Sequence, residues 1–315
     1  MSRGGGVILI GSRATVAVLG FRMLRESGIH IPLVISGTED PGTDDWRLSL
    51  VKAARDAGYR DGENLLVVGN PHRDETLERI RAAGADLILS LQWRRILRPP
   101  LLGIPRLGVV NLHNAPLPML RGCDPFSWAI HDGLERMGVS LHQVIDEGVD
   151  SGPVLAQRFW PITATSTSWS LYMEAQRESE LLMGESLPDI LAARLTPRVQ
   201  EPCHASYHPM GQFRFRDLEA DWKLPAVTLS AALRSRIFVP FQVPFFSCRG
   251  ERIEILGCRA VEGRGVPAAV AAVEPLRIGT KSGLLELIEV RVDGRAMSGP
   301  DFATKAGLRP GDALS

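Results

Sequence analysis

The strongest constraint on the fold is a series of short, mostly apolar runs, each followed by a polar loop or a helical pattern. Residues 7–10, 31–36, 65–68 and 86–91 are such runs, rich in Val, Ile and Leu. A strand with one wet face alternates apolar and polar residues, whereas a strand covered on both faces reads as an unbroken apolar run. Between these runs, residues 15–26, 46–57 and 74–83 carry apolar positions at helical spacing. Asp44 or Asp45 is placed to cap the second of these helices. Repeated strand–helix units of this kind build a doubly wound, mostly parallel sheet with helices on both faces. The first turn, Gly11-Ser12, lacks a Gly-x-Gly-x-x-Gly pattern, so dinucleotide binding has no support.

Residues 108–155 hold the chemistry. A short apolar run carries Asn111 and His113 onto one side of an extended chain, because side chains two apart share a face. A proline-broken loop, 114–122, holds Pro116, Pro118 and Arg121, and a helix is expected over 125–133. A second strand, 138–145, empties into an acidic, glycine-spaced loop containing Asp146, Gly148, Asp150 and Gly152. Two strand ends are thus expected to present an amide, an imidazole and a carboxylate, where open α/β sheets bind their ligands. An Asn carboxamide offers fixed donors to an oxygen that gains charge. His113 can donate to the same oxygen or move a proton near neutral pH. Asp150 can orient the imidazole, favour its charged form and accept a proton from an amine. No serine or cysteine sits in an elbow. The set suits direct acyl transfer to an external nucleophile.

NLHNAPLPMLRG followed by GVSLHQVIDEGVDSGPVL resembles the signature of the 10-formyltetrahydrofolate-dependent formyltransferases, whose catalytic Asn, His and Asp fall on Asn111, His113 and Asp150. One departure is visible: Ala115 stands where the family usually has Ser, and Pro116 where it has Leu. The resemblance implies a Rossmann-like sheet and 10-formyltetrahydrofolate as formyl donor, with no metal. It also implies a folate rim at Leu91, Gln92 and Trp93, joined by Arg121, Asp146 and Gly148. His142 and Cys123 lie close enough to matter.

A long amphipathic segment, 169–191, is expected to close an N-terminal catalytic domain spanning 1–200, and the Pro-containing residues 193–210 read as a linker. Beyond it come a short helix at 229–236, an aromatic, Pro-interrupted stretch at 239–246, and strand-like runs at 252–257, 268–273 and 284–292. Strands at this spacing suggest a small β-barrel. The resemblance implies an OB-like C-terminal domain over 201–315, with 213–222 as a bridging segment ahead of it.

Composition narrows the acceptor. Lys+Arg and Asp+Glu are equal at 36 each, giving a formal net charge of zero and no strong field for nucleic acid or membrane. From Ser206 onward there are 15 basic and 12 acidic residues, a net of only +3. A tRNA substrate needs many phosphate contacts. The tRNA enzymes carry a basic insertion after the second strand, where this chain has the acidic TEDPGTDD. These features argue against tRNA. GTEDPGTDDWRLSLVKAARDAGY instead resembles the matching loop and helix of the aminoarabinose-nucleotide formyltransferase. The acceptor expected is a small amine, first a nucleotide-linked amino sugar, then an amino acid-derived amine such as hydroxyornithine. A 10-formyltetrahydrofolate hydrolase would use the same three residues with water, and a non-catalytic folate-binding protein is the remaining class. The four cysteines show no CxxC spacing, and no apolar run has the form of a signal peptide or membrane span. A cytoplasmic protein with reduced thiols is expected, and the C-terminal domain either binds substrate or builds a homodimer.

Overall fold

The structure, a computed structural model, describes residues 6–213, 215, 218–239 and 241–314. In chain order the first half contains β1 (Val7–Gly11), α1 (Thr15–Glu26), β2 (Val34–Gly37), α2 (Leu50–Asp56), β3 (Leu65–Val68), α3 (Asp74–Ala83), β4 (Leu87–Leu91), β5 (Val109–His113) and the two-residue β6 (Arg121–Gly122). There follow α4 (Pro125–His131), β7 (Arg136–Val144), β8 (Val154–Pro161), α5 (Ser168–Leu191) and β9 (Tyr207–His208). The remainder holds α6 (Ala226–Arg234), β10 (Phe245–Cys248), β11 (Glu251–Val261), β12 (Val270–Val273), β13 (Leu276–Gly279), β14 (Leu284–Val292), β15 (Arg295–Ser298) and α7 (Gly299–Lys305). Among the described residues no helix is long and apolar enough to cross a membrane.

The fold is mixed α/β. Seven strands form one sheet in the order β3-β2-β1-β4-β5-β7-β8. The first five run parallel, as the apolar runs require, and all five residues of β1 and of β4 are buried. β7 runs antiparallel to β5. The winding reverses between β1 and β4, the point at which such sheets open a crevice beyond their carboxyl ends. Ile8, Ile10, Ile35, Ile80, Ile88 and Val109 anchor one apolar cluster on this sheet.

By contact density the chain divides into two compact units. One takes the described residues up to Gly122, then Gly138–Trp160 and Glu174–His208; the other takes Cys123–Met137, Pro161–Met173 and everything from Pro209. α4 groups with the second unit through Phe126 edge-on to Tyr172 (6.0 Å) and Trp128 edge-on to Phe213 (5.1 Å). That unit carries a separate, curled antiparallel half-barrel of six strands, with β14 bonded to β13 along its first half and to β15 along its second. Register breaks on either side of Gly257 bend β11. Phe246, Ile255, Cys258, Ile278 and Leu287, all fully buried, fill its core. Arg214, Arg216 and Asp217 of the bridging segment, and Pro240 of the aromatic stretch, lie outside the described residues.

The helix expected over 46–57 begins only at Leu50, and neither Asp44 nor Asp45 caps it. Asp45 instead accepts the Arg47 N–H (2.7 Å) and Asp44 the Ser49 N–H (2.8 Å), turns that compete with helix for the same backbone donors. Ser49 is the cap, accepting from Lys52 N at 3.0 Å.

Candidate active site

Asn111 and His113 occupy the third and last positions of β5, facing the same side as Val109. Asn111 is held at both ends of its carboxamide. Its Oδ1 accepts the Ser90 hydroxyl at 2.9 Å, and its Nδ2 donates to His142 Nε2 at 3.0 Å. The second Nδ2–H has no partner among the described residues. His142 lies opposite Asn111 on β7, is 2% exposed, and donates from Nδ1 to the Gln143 carbonyl at 3.0 Å, which leaves Nε2 as the acceptor. His113 Nε2 donates to the Leu120 carbonyl at 2.9 Å, so its Nδ1 is the nitrogen that meets Asp150.

Asp150 joins these groups. Its Oδ2 lies 3.5 Å from His113 Nδ1 and accepts the Gly122 N–H at 2.9 Å, while Oδ1 lies 3.4 Å from His142 Nε2. The expectation that two strand ends would present the three groups needs correction. β7 is antiparallel, with Val144 beside Val109 and Ser140 beside His113, so its carboxyl end lies at the start of β5. Asp150 reaches His113 because the loop doubles back along the sheet before β8. Gln143 N donates to the Pro153 carbonyl (2.9 Å), and a Cβ on Gly152 would fall 1.8 Å from Gln143 O, so only glycine can make that pass.

Burial disfavours a charged Asp150, but attraction to a charged His113 imidazole, together with the Gly122 amide, holds the carboxyl well below the usual carboxylate range. Asp150 is therefore a fixed anion with an imidazole on each oxygen, beside an amide that keeps one N–H open.

The Formyl transferase family matches residues 46–186 of this chain. A methionyl-tRNA formyltransferase from Halorhodospira halophila is 32% identical over 305 residues, covering 95% of this chain and 96% of the relative. The chain belongs to the 10-formyltetrahydrofolate-dependent formyltransferases. It is an enzyme that moves formyl groups from formyltetrahydrofolate. Two solved structures share its fold. WlaRD, a sugar 3N-formyl transferase solved in the presence of dTDP and 5-N-formyl-THF, has a TM-score of 0.72 at 20% identity, covering 93% of this chain and 100% of WlaRD. An N-formyltransferase from Helicobacter canadensis, solved with folinic acid and dTDP-3-aminofucose, has a TM-score of 0.69 at 19% identity, covering 89% and 98%.

The residues assigned to a folate rim are less gathered than the other three. In this formyltransferase Leu91 is fully buried in β4. Gln92 has positive φ (56°), and its carbonyl accepts the Ser12 hydroxyl at 2.7 Å. Trp93 packs against the sheet's apolar cluster with Arg95 over its ring. Asp146 caps Gly148 N at 2.7 Å in an exposed turn. Arg121 donates from Nε (3.0 Å) and Nη2 (2.9 Å) to Gln200 Oε1. A cleft of about 790 Å³ lies instead at the start of β5, lined by Pro99, Leu102, Ile104, Val109, Val144 and Arg81 among others. Ala115 is fully buried, and the hydroxyl near it comes from Ser140 of β7, which donates to its carbonyl at 2.6 Å.

Sequence reasoning missed Gln200 and Ser206, which lie in what read as a linker. Gln200 Nε2 donates to the carbonyls of Asp150 (2.8 Å) and Gly152 (2.7 Å). Ser206 Oγ accepts Leu120 N (2.8 Å), and its carbonyl accepts Arg121 N (3.0 Å). The only available signal was a polar pair at the end of a Pro-rich stretch, which the sequence gives no reason to prefer.

Proposed function

We propose that Asn111, His113 and Asp150 form the catalytic centre of this formyltransferase and that its acceptor is the amine of a small molecule, first a nucleotide-linked amino sugar. The observation that carries the reading is the convergence of the open Asn111 N–H with an Asp150 that faces two imidazoles. When bound, 10-formyltetrahydrofolate supplies the activated formyl group. We place the donor along the carboxyl edge of the sheet, with its formyl group beside Asn111 and His113, rather than in the cleft at the opposite end of β5. Leu91, Gln92, Trp93, Arg121, Asp146 and Gly148 remain in the proposal as the folate rim.

Asn111 directs its free Nδ2–H at the oxygen that gains charge as the amine attacks, a contribution of roughly 3–4 kcal/mol for one preorganised donor. Ser90 and His142 fix the carboxamide so that this donor needs no reorganisation. Asp150 orients His113, stabilises its charged form and assists loss of the amine proton, directly or through water. Water serves equally as nucleophile in a hydrolase, and only an acceptor requirement separates the two.

The sugar-amine reading draws support from the ligands of the similarly folded enzymes and from the absence of a basic surface run in the sequence. The named relatives favour methionyl-tRNA as a second acceptor. We read residues 1–200 as the catalytic domain and the half-barrel within 201–315 as OB-like, in a cytoplasmic enzyme. The test is tetrahydrofolate release from 10-formyltetrahydrofolate with dTDP-3-aminofucose, other nucleotide-linked amino sugars, hydroxyornithine, initiator methionyl-tRNA, or no acceptor. Turnover with a small amine alone supports the reading. Turnover with tRNA alone, or without acceptor, replaces it.

A further inference from the structure

The segment after α5 makes contacts that a tether between domains would not need. Arg198 exchanges backbone hydrogen bonds with Val154 (2.8 Å each), immediately after the Asp150 loop. Two residues on, Gln200 is 6% exposed, and all its hydrogen-bonding capacity points at the candidate centre. Its two N–H groups reach the carbonyls of Asp150 and Gly152, and its oxygen takes the fork of Arg121. Ser206 then holds Leu120, whose carbonyl fixes the His113 tautomer. β9 pairs with β6, where Gly122 N binds Asp150 Oδ2. One stretch, 198–208, therefore touches the supports of both the imidazole and the carboxylate.

We infer that residues 198–208 act as a clamp that sets the distance between His113 and Asp150, with Gln200 as its positioning residue. The inference rests on the reading of Asp150 as catalytic. The physical reason lies in the loop. Asp146, Glu147, Gly148 and Val149 are exposed, so burial alone does not fix Asp150. Asp150 itself has positive φ (50°), a conformation that a non-glycine residue keeps only when its surroundings hold it. Gln200 bonds the carbonyls on both sides of that residue's exit, and Arg121 locks the Gln200 carboxamide in the orientation that donates. Arg121 serves the centre through Gln200 in this scheme.

The test compares Gln200→Ala, Gln200→Glu, Asp150→Asn and the double variant Gln200→Ala/Asp150→Asn in the full chain. Glu at this position still accepts from Arg121 but cannot donate to the two carbonyls, so it separates the clamp from the Arg121 contact. Hydrogen–deuterium exchange over residues 146–153 and at Gly122 is measured beside tetrahydrofolate release with dTDP-3-aminofucose. We expect both Gln200 variants to lose about 10- to 100-fold in kcat, as an ångström-scale misplacement does. Donor KM should stay within about twofold in Gln200→Glu, which keeps the Arg121 contact. Exchange over 146–153 should quicken, and the Gln200 substitution should cost nothing further once Asp150 is Asn. Folded Gln200 variants with wild-type turnover and unchanged exchange overturn the clamp, as do losses that simply multiply with Asp150→Asn. Should Asp150→Asn itself turn over normally, or should dTDP-3-aminofucose not react, the catalytic reading or the acceptor fails. Exchange at Gly122 and 146–153 then decides the clamp on its own, faster supporting it and unchanged overturning it.

Discussion

Gly152→Ala tests the geometry of the candidate centre at one backbone contact. The added Cβ would lie 1.8 Å from Gln143 O and 2.9 Å from the carbonyl carbon, whereas real Cβ contacts essentially never fall below 3.0 Å. Loop and strand must therefore part by at least 1.2 Å. Neither side yields freely: Gln143 N is bonded to the Pro153 carbonyl at 2.9 Å, and the Gly152 carbonyl is bonded to Gln200 at 2.7 Å. Overpacking of this kind costs about 1–3 kcal/mol. For a unit of this size that is a fall in Tm of roughly 2–4 °C per kcal/mol. Activity should suffer more. His113 and Asp150 are already 3.5 Å apart, and an ångström of further separation costs on the order of 100-fold in kcat. The assay is tetrahydrofolate release at saturating donor, read beside a thermal melt. Gly184→Ala is the control, since it lies within α5 with nothing within 4 Å of its added Cβ. It should gain about 0.5–1 kcal/mol and leave kcat alone. A folded Gly152→Ala enzyme with wild-type turnover would refute the view that this close pass positions Asp150.

Other outcomes follow from the same geometry. Asn111→Ala should lower kcat by roughly two to three orders of magnitude with little change in donor KM, as measured by steady-state kinetics. Asp150→Asn should show a particular pH signature in melting experiments. Because the folded carboxyl is held low, its contribution to stability is complete above the unfolded value of about 3.9 and is lost as pH falls through the lower folded value. The Tm gap between wild type and Asp150→Asn should thus narrow as pH falls below about 3.9. By the same sign, the acid limb of wild-type turnover above pH 5 belongs to another group, and an acid limb that tracks Asp150 would contradict the assignment. Burial pushes the Cys258 thiol up to about 12, with Arg234 and Ser230 offsetting it only in part. A thiol reagent on native protein should modify exposed Cys203 and spare Cys258, which peptide mapping can check.

The acidic loop after β2 carries less field than its sequence suggests. Asp45 pairs with Arg13 (3.1 Å) and Arg47 (2.9 Å), Asp44 faces Lys52 (3.7 Å), and Glu39 meets Arg95 (3.3 Å). Asp40 is buried and accepts the Ser49 hydroxyl at 2.6 Å and the Val51 amide at 3.1 Å. A carboxylate matched by a cation a few ångströms away leaves little potential beyond a Debye length. The loop is thus poorly suited to drawing in a cationic amine from solution. Its negative charge also counts for less against a polyanionic acceptor than the residue types alone imply.

What the sequence made legible was local, and what it hid was not. The parallel core, α1 and α3 could be read because each apolar run or helical stripe carries its period within a dozen residues. Asn111 and His113 were legible for the same reason, being two apart on one strand. Alternation of side chains carries no information about strand direction, so the antiparallel course of β7 and the doubled-back path to Asp150 were invisible. α2 was overextended because aspartates that look like caps can equally fold the backbone into turns, and the difference lies in Ser49 and Asp40. β13, β15 and α7 are short elements of four to seven residues, below the length at which a period declares itself. Gln200 is the extreme case. Its bonds to Arg121 span 79 residues, and those to Asp150 and Gly152 span 50 and 48, with polar partners of which two are backbone carbonyls. A backbone acceptor leaves no trace in residue type. A clamp built on such acceptors can be recognised only once the chain is folded, which is why its role must be tested through the exchange of the loop it holds.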